Sequence, residues 1–265
     1  MTNLLLHDID SPMVYHDNSL TKDVLNYTED EKFDVILMNP PYGGSEKNEI
    51  KQHFPSDLSS SETADLFMVL IMYRLKKGGR AAVILPDGFL FGADNAKLKI
   101  KEKLLREFNL HTIVRLPTSI FAPYTSIATN ILFFDNVKAE GAPVGFSTGE
   151  TWFYRLDMPE GYKHFSKTKS MKFEHCQPMI DWWNNRQEII IDENDIKSKK
   201  FTVKELVELD YNFDQCKFPK DDEEVLPPAE LLAEYFKKRK ALDHEIDKTL
   251  AEIQNILGIE IKIEE

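Results

Sequence analysis

The sequence predicts an α/β protein with a doubly wound sheet. Three observations carry that prediction. Nearly continuous apolar runs, 33–38 and 81–86, suit strands buried on both faces of a sheet. Between them lie longer segments with helical spacing. Asn, Pro and Gly punctuate the ends of the runs.

The elements follow in order. Phe33 to Met38 is the first core strand, ending at Asn39-Pro40. A polar loop from Gly43 to about Ser61 follows, and Ser61-Glu62-Thr63-Ala64-Asp65 has the residues that start a helix. Leu66, Phe67, Val69, Leu70 and Tyr73 form its apolar side, and Lys76-Lys77 with Gly78-Gly79 read as its end. Ala81 to Pro86 is the next strand, and a loop through Asp87-Gly88 and Gly92 leads to a helix from roughly Asp94 to Phe108. Leu110 to Leu116 and Thr129 to Phe134 are two further strands. Taken together these are parallel βαβ units, whose ligands bind beyond the carboxyl ends of the strands. The residues after Met38 therefore stand at the expected active-site edge.

The character changes near Thr151. Aromatic residues cluster there (Trp152, Phe153, Tyr154, then Trp182 and Trp183), and Pro219 with Pro227-Pro228 marks loops. From Pro228 to Leu257, apolar residues recur at helical spacing, which predicts an amphipathic helix able to pack on its own domain or on a partner. The expected organisation is a catalytic part over 1–150, an irregular extension over 151–227, and a helix with a tail over 228–265.

Composition narrows the function classes. No apolar run is long enough to span a bilayer, and the first residues lack a signal-type pattern, so no membrane partner and a cytoplasmic location are expected. Cys176 and Cys216 form no CxxC pair, so neither a disulfide framework nor a zinc site is expected. The formal net charge is −12, with Asp221 to Glu224 forming one acidic run. A stand-alone nucleic-acid binder usually carries a basic footprint, so DNA affinity is expected to come from a partner.

The chemistry-bearing motif is Asn39-Pro40-Pro41-Tyr42. An exocyclic amine is a poor nucleophile because its lone pair is delocalised into the ring. Methylating it needs in-line placement and acceptors for its N–H groups as the nitrogen becomes tetrahedral. The Asn39 side-chain oxygen and the Pro40 carbonyl supply two acceptors, and the prolines hold φ near −65° and stiffen the turn. Tyr42 supplies a face for a base extruded from its duplex.

On these residues the sequence resembles the amino-methyltransferases with an Asn-Pro-Pro-Tyr/Phe motif, and most of all the modification (M) subunit of type I restriction-modification systems. The similar segments are Asn3 to His7, Asp17 to Leu20, Phe33 to Gly44, Ala64 to Phe67, Gly78 to Pro86 with Gly88, Leu116-Pro117 with Phe121, Thr129 to Phe134, and Tyr211-Asn212-Phe213. The resemblance implies a partial Rossmann-like S-adenosylmethionine-dependent methyltransferase sheet, followed by an irregular and helical C-terminal region. It implies adenine-N6 methylation of DNA, with a specificity (S) subunit and a restriction (R) subunit as partners. Asn39, Pro40, Pro41 and Tyr42 become the catalytic residues. Asp17, Asn18, Asn39 and Asp65 fall on the cofactor side, with Phe67 beside them, although Asp65 and Phe67 equally suit the start of a helix. Tyr42, Phe121 and Tyr124 are the candidates for holding the base.

The sequence departs from the family in one respect: no glycine precedes Phe33, whereas the family has a glycine-rich cofactor loop upstream. The chain is therefore expected to be a truncated form that begins after that loop. Two other readings compete: a methyltransferase of protein glutamine or RNA with the same tetrapeptide, and a non-catalytic assembly module that uses the C-terminal helix.

Overall fold

The computed structural model describes residues 2–14, 16–192, 195–218 and 228–257. The chain divides into two compact units, 1–219 and 220–265. The first contains two single-turn helices, α1 (Thr2–Leu5) and α2 (Asn48–Lys51), then α3 (Thr63–Arg74), α4 (Asp87–Phe91), α5 (Asn95–Glu107), α6 (Gln177–Asn184) and α7 (Val203–Glu208). Its strands are β1 (Phe33–Met38), β2 (Leu75–Pro86), β3 (Asn109–Arg115), β4 (Thr129–Asp135), β5 (Glu150–Arg155), β6 (Ile189–Ile190) and β7 (Ile196–Thr202).

The strands form one sheet in the order β1-β2-β4-β3-β5-β7-β6. β1 and β2 are parallel, as are β3 and β5, whereas β4 runs antiparallel to β2 and β3, and β7 to β5 and β6. The sheet is thus mixed, where the sequence predicts only parallel units. The segment between β3 and β4 holds no helix to carry a parallel crossover, so β4 returns directly and inserts between β2 and β3. The region from 151 also differs from its expected irregularity, because β5, β6 and β7 extend the same sheet.

One sheet face carries the main core. Ala81, Val83 and Leu85 of β2 and Leu132 and Phe134 of β4 pack with Leu66, Val69 and Leu70 of α3 and Ile100 and Leu104 of α5. α3 is apolar nearly all round, as a helix pressed into a core must be. On the opposite face, α6 sets Trp182 against Val114, Leu116, Tyr154 and Leu156. Trp182 stacks on Tyr154 at 4.4 Å between ring centroids. At β1 the second face is open: Val35 and Leu37 are 49% and 78% exposed. β1 is also the last strand on its side, so among the described residues its outer backbone edge has no partner.

Two boundaries differ from the sequence reading. α3 ends at Arg74, and Lys76, Lys77, Gly78 and Gly79 lie in β2. The pairing slips there, from Phe33 with Leu75 to Val35 with Arg80. Gly78 takes φ +78°, a left-handed conformation that favours glycine, and the backbones of Gly78 and Gly79 bond to Asn136. At α7, Thr202 and Glu205 form a capping box, with the Thr202 hydroxyl accepting from the Glu205 N–H at 3.3 Å. Thr202→Ala is expected to cost about 1 kcal/mol. Thermal unfolding should report that as a fall of roughly 2–4 °C.

The second unit contains α8 (Pro228–Leu257), with the helical bounds the sequence predicts. The acidic run 221–224 and the tail 258–265 lie outside the described residues. Among the described residues no helix is long and apolar enough to cross a membrane.

Candidate active site

The strand directions gather the ends of β1, β2, β3 and β5 and the start of β4 at one sheet edge. The tetrapeptide leaves the end of β1 there. Asn39 and Pro41 are exposed, Pro40 is buried, and Tyr42 is half-buried. The Tyr42 hydroxyl hydrogen-bonds Asn39 Oδ1 and lies 3.3 Å from the Ile84 carbonyl at the end of β2. Burial pushes the Tyr42 phenol up to about 12, so it keeps its proton across the working pH range. The Asn39 side-chain oxygen is therefore held by a neutral hydroxyl.

The following turn is fixed by glycine. Gly43 has φ +71°, and a Cβ at Gly44 would come within 2.7 Å of the Thr63 hydroxyl. The Gly44 carbonyl accepts the Thr63 N–H at 3.0 Å, which ties the motif's loop to the start of α3.

The remaining predicted residues fall into three places. Phe121 and Tyr124 lie in the segment between β3 and β4, at the same edge as Asn39; Tyr124 is 92% exposed. Asp17 and Asn18 are exposed and serve a local turn: Asp17 Oδ1 accepts the Asn18 N–H at 2.7 Å, and Asn18 Oδ1 accepts the Leu20 N–H at 3.0 Å. No contact among the described residues joins them to the tetrapeptide. Asp65 is fully buried on α3, 2.6 Å from the Ser60 hydroxyl and 3.0 Å from Lys97 Nζ. Burial, opposed by Ser60 and Lys97, holds its carboxyl above the usual range. Its Oδ1 has no partner, so Asp65 keeps one acceptor but no solvent-facing surface. Phe67 packs partly buried against the main core.

Sequence reasoning missed a polar network at this edge. Arg115, at the end of β3, donates to Asp87 Oδ2 at 2.8 Å and also to Asp214. Asn130 donates to Asp87 Oδ1 at 2.6 Å, and the Asp87 N–H bonds to the Ala128 carbonyl at 3.0 Å. The network locks the segment around Asp214 and the return of the 116–128 loop onto the end of β2. Its signals were present as a charged residue ending each of two apolar runs and an Asn inside a third, but nothing local says that they meet.

A family model described as N-6 DNA methylase matches residues 1–225. The chain belongs to the N-6 DNA methylase family. Among N-6 DNA methylase relatives, the type I restriction enzyme EcoEI methylase subunit of Escherichia coli is 44% identical over 260 residues, which cover 97% of this chain and 50% of the relative. The EcoKI methylase subunit of Escherichia coli K12 is 33% identical over 186 residues, covering 67% of this chain and 33% of that one. The chain thus spans a third to a half of the curated relatives it matches. Among solved structures, a chain from a study of complex assembly in the type I R-M system is 32% identical, with a TM-score of 0.67 over 96% of this chain and 51% of that one. The crystal structure of the EcoKI M protein is 25% identical, with a TM-score of 0.65 over 94% of this chain and 57% of its own. The exposed Asn39 at the end of β1 lies within the span that the N-6 DNA methylase model matches.

Proposed function

We propose that the protein transfers a methyl group from S-adenosylmethionine to the N6 amine of adenine in DNA, in the cytoplasm, as the modification subunit of a type I restriction-modification system. A specificity subunit supplies the sequence reading and a restriction subunit completes the assembly. One observation carries the proposal: Asn39 Oδ1 stands exposed at the strand end, held by the Tyr42 hydroxyl and stiffened by two prolines.

The cofactor supplies an electrophilic methyl group on a sulfonium. This chain's residues then have three tasks. Asn39 Oδ1 and the Pro40 carbonyl accept the two N–H groups of the amine, draw its lone pair out of conjugation and stabilise the charge that grows on nitrogen. Tyr42 stacks on the extruded base and offsets part of the unstacking cost. The prolines keep these groups from relaxing away. Once methylated, the nitrogen would give up one of its N–H protons to solvent from between the two acceptors, which leaves the product amine neutral. Residues fit the donor only in part. Asp17 and Asn18 would offer it exposed oxygens, and Asp65 a single orphaned one that is buried.

The test is transfer of a labelled methyl group to duplex DNA by the chain with its partner subunits, followed by digestion to nucleosides. The label is expected on N6-methyladenine. Tyr42→Phe keeps the stacking face and most of the activity. Tyr42→Ala removes it, at about 1–3 kcal/mol, or roughly five- to 150-fold in rate. Label on protein glutamine or on RNA, with DNA unlabelled, overturns the proposal.

A further inference from the structure

The segment 161–173 contains Lys163, His164, Lys167, Lys169 and Lys172 and no carboxylate, in a protein with 45 acidic and 33 basic residues. It leaves the sheet after β5, whose end lies beside the end of β3 at the tetrapeptide's edge. It is anchored rather than free. Phe165 is 2% exposed, and its N–H donates to the Ser119 hydroxyl at 2.8 Å. Tyr162 packs on Phe165 and on His175, with centroids 5.5 and 5.0 Å apart. The Ser119 bond ties the segment to the loop that bears Phe121 and Tyr124.

What matters is how the cations are used. Lys163 and Lys167 are exposed and have no ion pair or hydrogen bond among the described residues. Lys169 Nζ sits 3.8 Å from the centre of the Tyr162 ring and bonds to the Gly161 carbonyl at 2.8 Å, which fixes the turn. The Lys172 ammonium pairs with Glu174, at 3.4 Å and with both side chains exposed, a contact of little energetic consequence. A second acid-free basic run, Arg74 to Arg80, makes the contrast. It lies toward the opposite end of β2, and most of its cations are already engaged. Lys76 pairs with Asp34 at 3.0 Å, Lys77 bonds to Asn136 at 3.1 Å, and Arg74 bonds to the Glu31 carbonyl at 2.8 Å.

We infer that the 161–173 segment is a phosphate-binding strap, which grips the DNA backbone beside the extruded base while Ser119 couples it to the Phe121–Tyr124 loop. The inference rests on the proposed DNA reading. It gives an acidic protein a local, sequence-independent hold on a polyanion at the sheet edge that also bears the tetrapeptide. Phosphodiester contact of this kind positions the duplex without reading it.

The test is binding of the full chain to short fluorescent duplexes of two unrelated sequences across a salt series. Each phosphate contact contributes about −0.9 to the slope of log K against log salt. Lys163→Gln/Lys167→Gln is expected to flatten that slope by about 2 and to weaken both sequences equally. Lys76→Gln/Arg80→Gln should leave it unchanged. Lys163, Lys167 and Arg80 are exposed and Lys76 is half-buried beside Asp34, so Tm checks that each pair keeps the fold; Lys163→Ala/Lys167→Ala serves as a second pair. Absence of DNA binding at low salt, an unchanged slope, or a loss confined to one sequence overturns the strap. Asn39→Ala run in parallel separates the two ideas. A flattened slope in the lysine variant, without methylation by any form, sinks the methyltransferase reading and keeps the strap. Methylation with an unchanged slope does the reverse.

Discussion

Asn39→Ala is expected to lower kcat for adenine methylation about a hundred- to a thousand-fold, the range seen when one preorganised polar partner of a developing charge is removed. The reason lies in when the bond matters. In the ground state the amine is planar and weakly basic, and either water or the Tyr42 hydroxyl can satisfy the groups around it. In the transition state the nitrogen carries positive charge and its N–H groups become strong donors, so on the proposed mechanism the Asn39 acceptor contributes most at that moment. KM for DNA should therefore change little while kcat falls, and cofactor affinity should fall less than kcat. Steady-state kinetics on the assembled system, with Tyr42→Phe beside it, checks the pattern. An Asn39→Ala protein with normal kcat, or one whose whole defect lies in KM, would remove Asn39 from the chemistry.

Lys97→Met should be the most damaging single change to the fold. Lys97 is 3% exposed on α5, and its ammonium reaches Glu62 at 2.7 Å, Asp65 at 3.0 Å and Asp94 at 3.2 Å. Although burial works against the charge, these three carboxylates raise its pKa, so it stays protonated. Methionine matches its length but abandons Asp65, which is fully buried, to the Ser60 hydroxyl alone. Lys101, one turn along, cannot step in, because its ammonium is held by the Leu90 and Gly92 carbonyls at 2.7 and 2.9 Å. Breaking a buried pair from one side costs about 3–5 kcal/mol. For a unit of this size that corresponds to a Tm lower by roughly 10 °C.

The same variant should show a distinctive pH dependence. Burial already raises the Asp65 carboxyl in the intact protein, and losing Lys97 raises it further. A carboxyl that binds its proton more tightly folded than unfolded favours the native state at low pH. It withdraws that support as pH climbs past its unfolded value. The Lys97→Met deficit should accordingly grow from mildly acidic to neutral buffer, and Asp65→Asn added to Lys97→Met should recover most of it. A deficit that is small, or the same in both buffers, would show that the Asp65–Lys97 pair does not hold α3 to α5.

Much of this architecture can be read from the sequence because its signals are local. β1, β3, β4, α5 and α8 fall within a residue or two of where apolar runs and spacing put them. The tetrapeptide stands out because its chemistry is compressed into four adjacent residues. What the sequence hides is set by partners far along the chain. Lys76 to Gly79 carry helix-ending chemistry, yet the β1 pairing on either side of them, at Leu75 and Arg80, and the bonds to Asn136 draw them into a bulged strand. β5 and β7 are strands because they lie beside β3 and each other, while their Lys and Glu residues make them look like surface loop. Arg115 meets Asp87 across 28 positions and Asp214 across 99, a distance over which no spacing rule reaches.

The open side of β1 has a practical consequence for the protein in solution. Among the described residues its outer amides and carbonyls have no ladder partner, and Val35 and Leu37 lie bare beside them, with Asp34 as the one charge along the strand. Such an edge is a template for another strand, and a single carboxylate is a weak gatekeeper. Handled alone, the protein should self-associate as its concentration rises, visible as growing light scattering, and Val35→Lys or Leu37→Lys should suppress it without touching Asn39. Solubility is then a direct readout of whether β1 has found a neighbour.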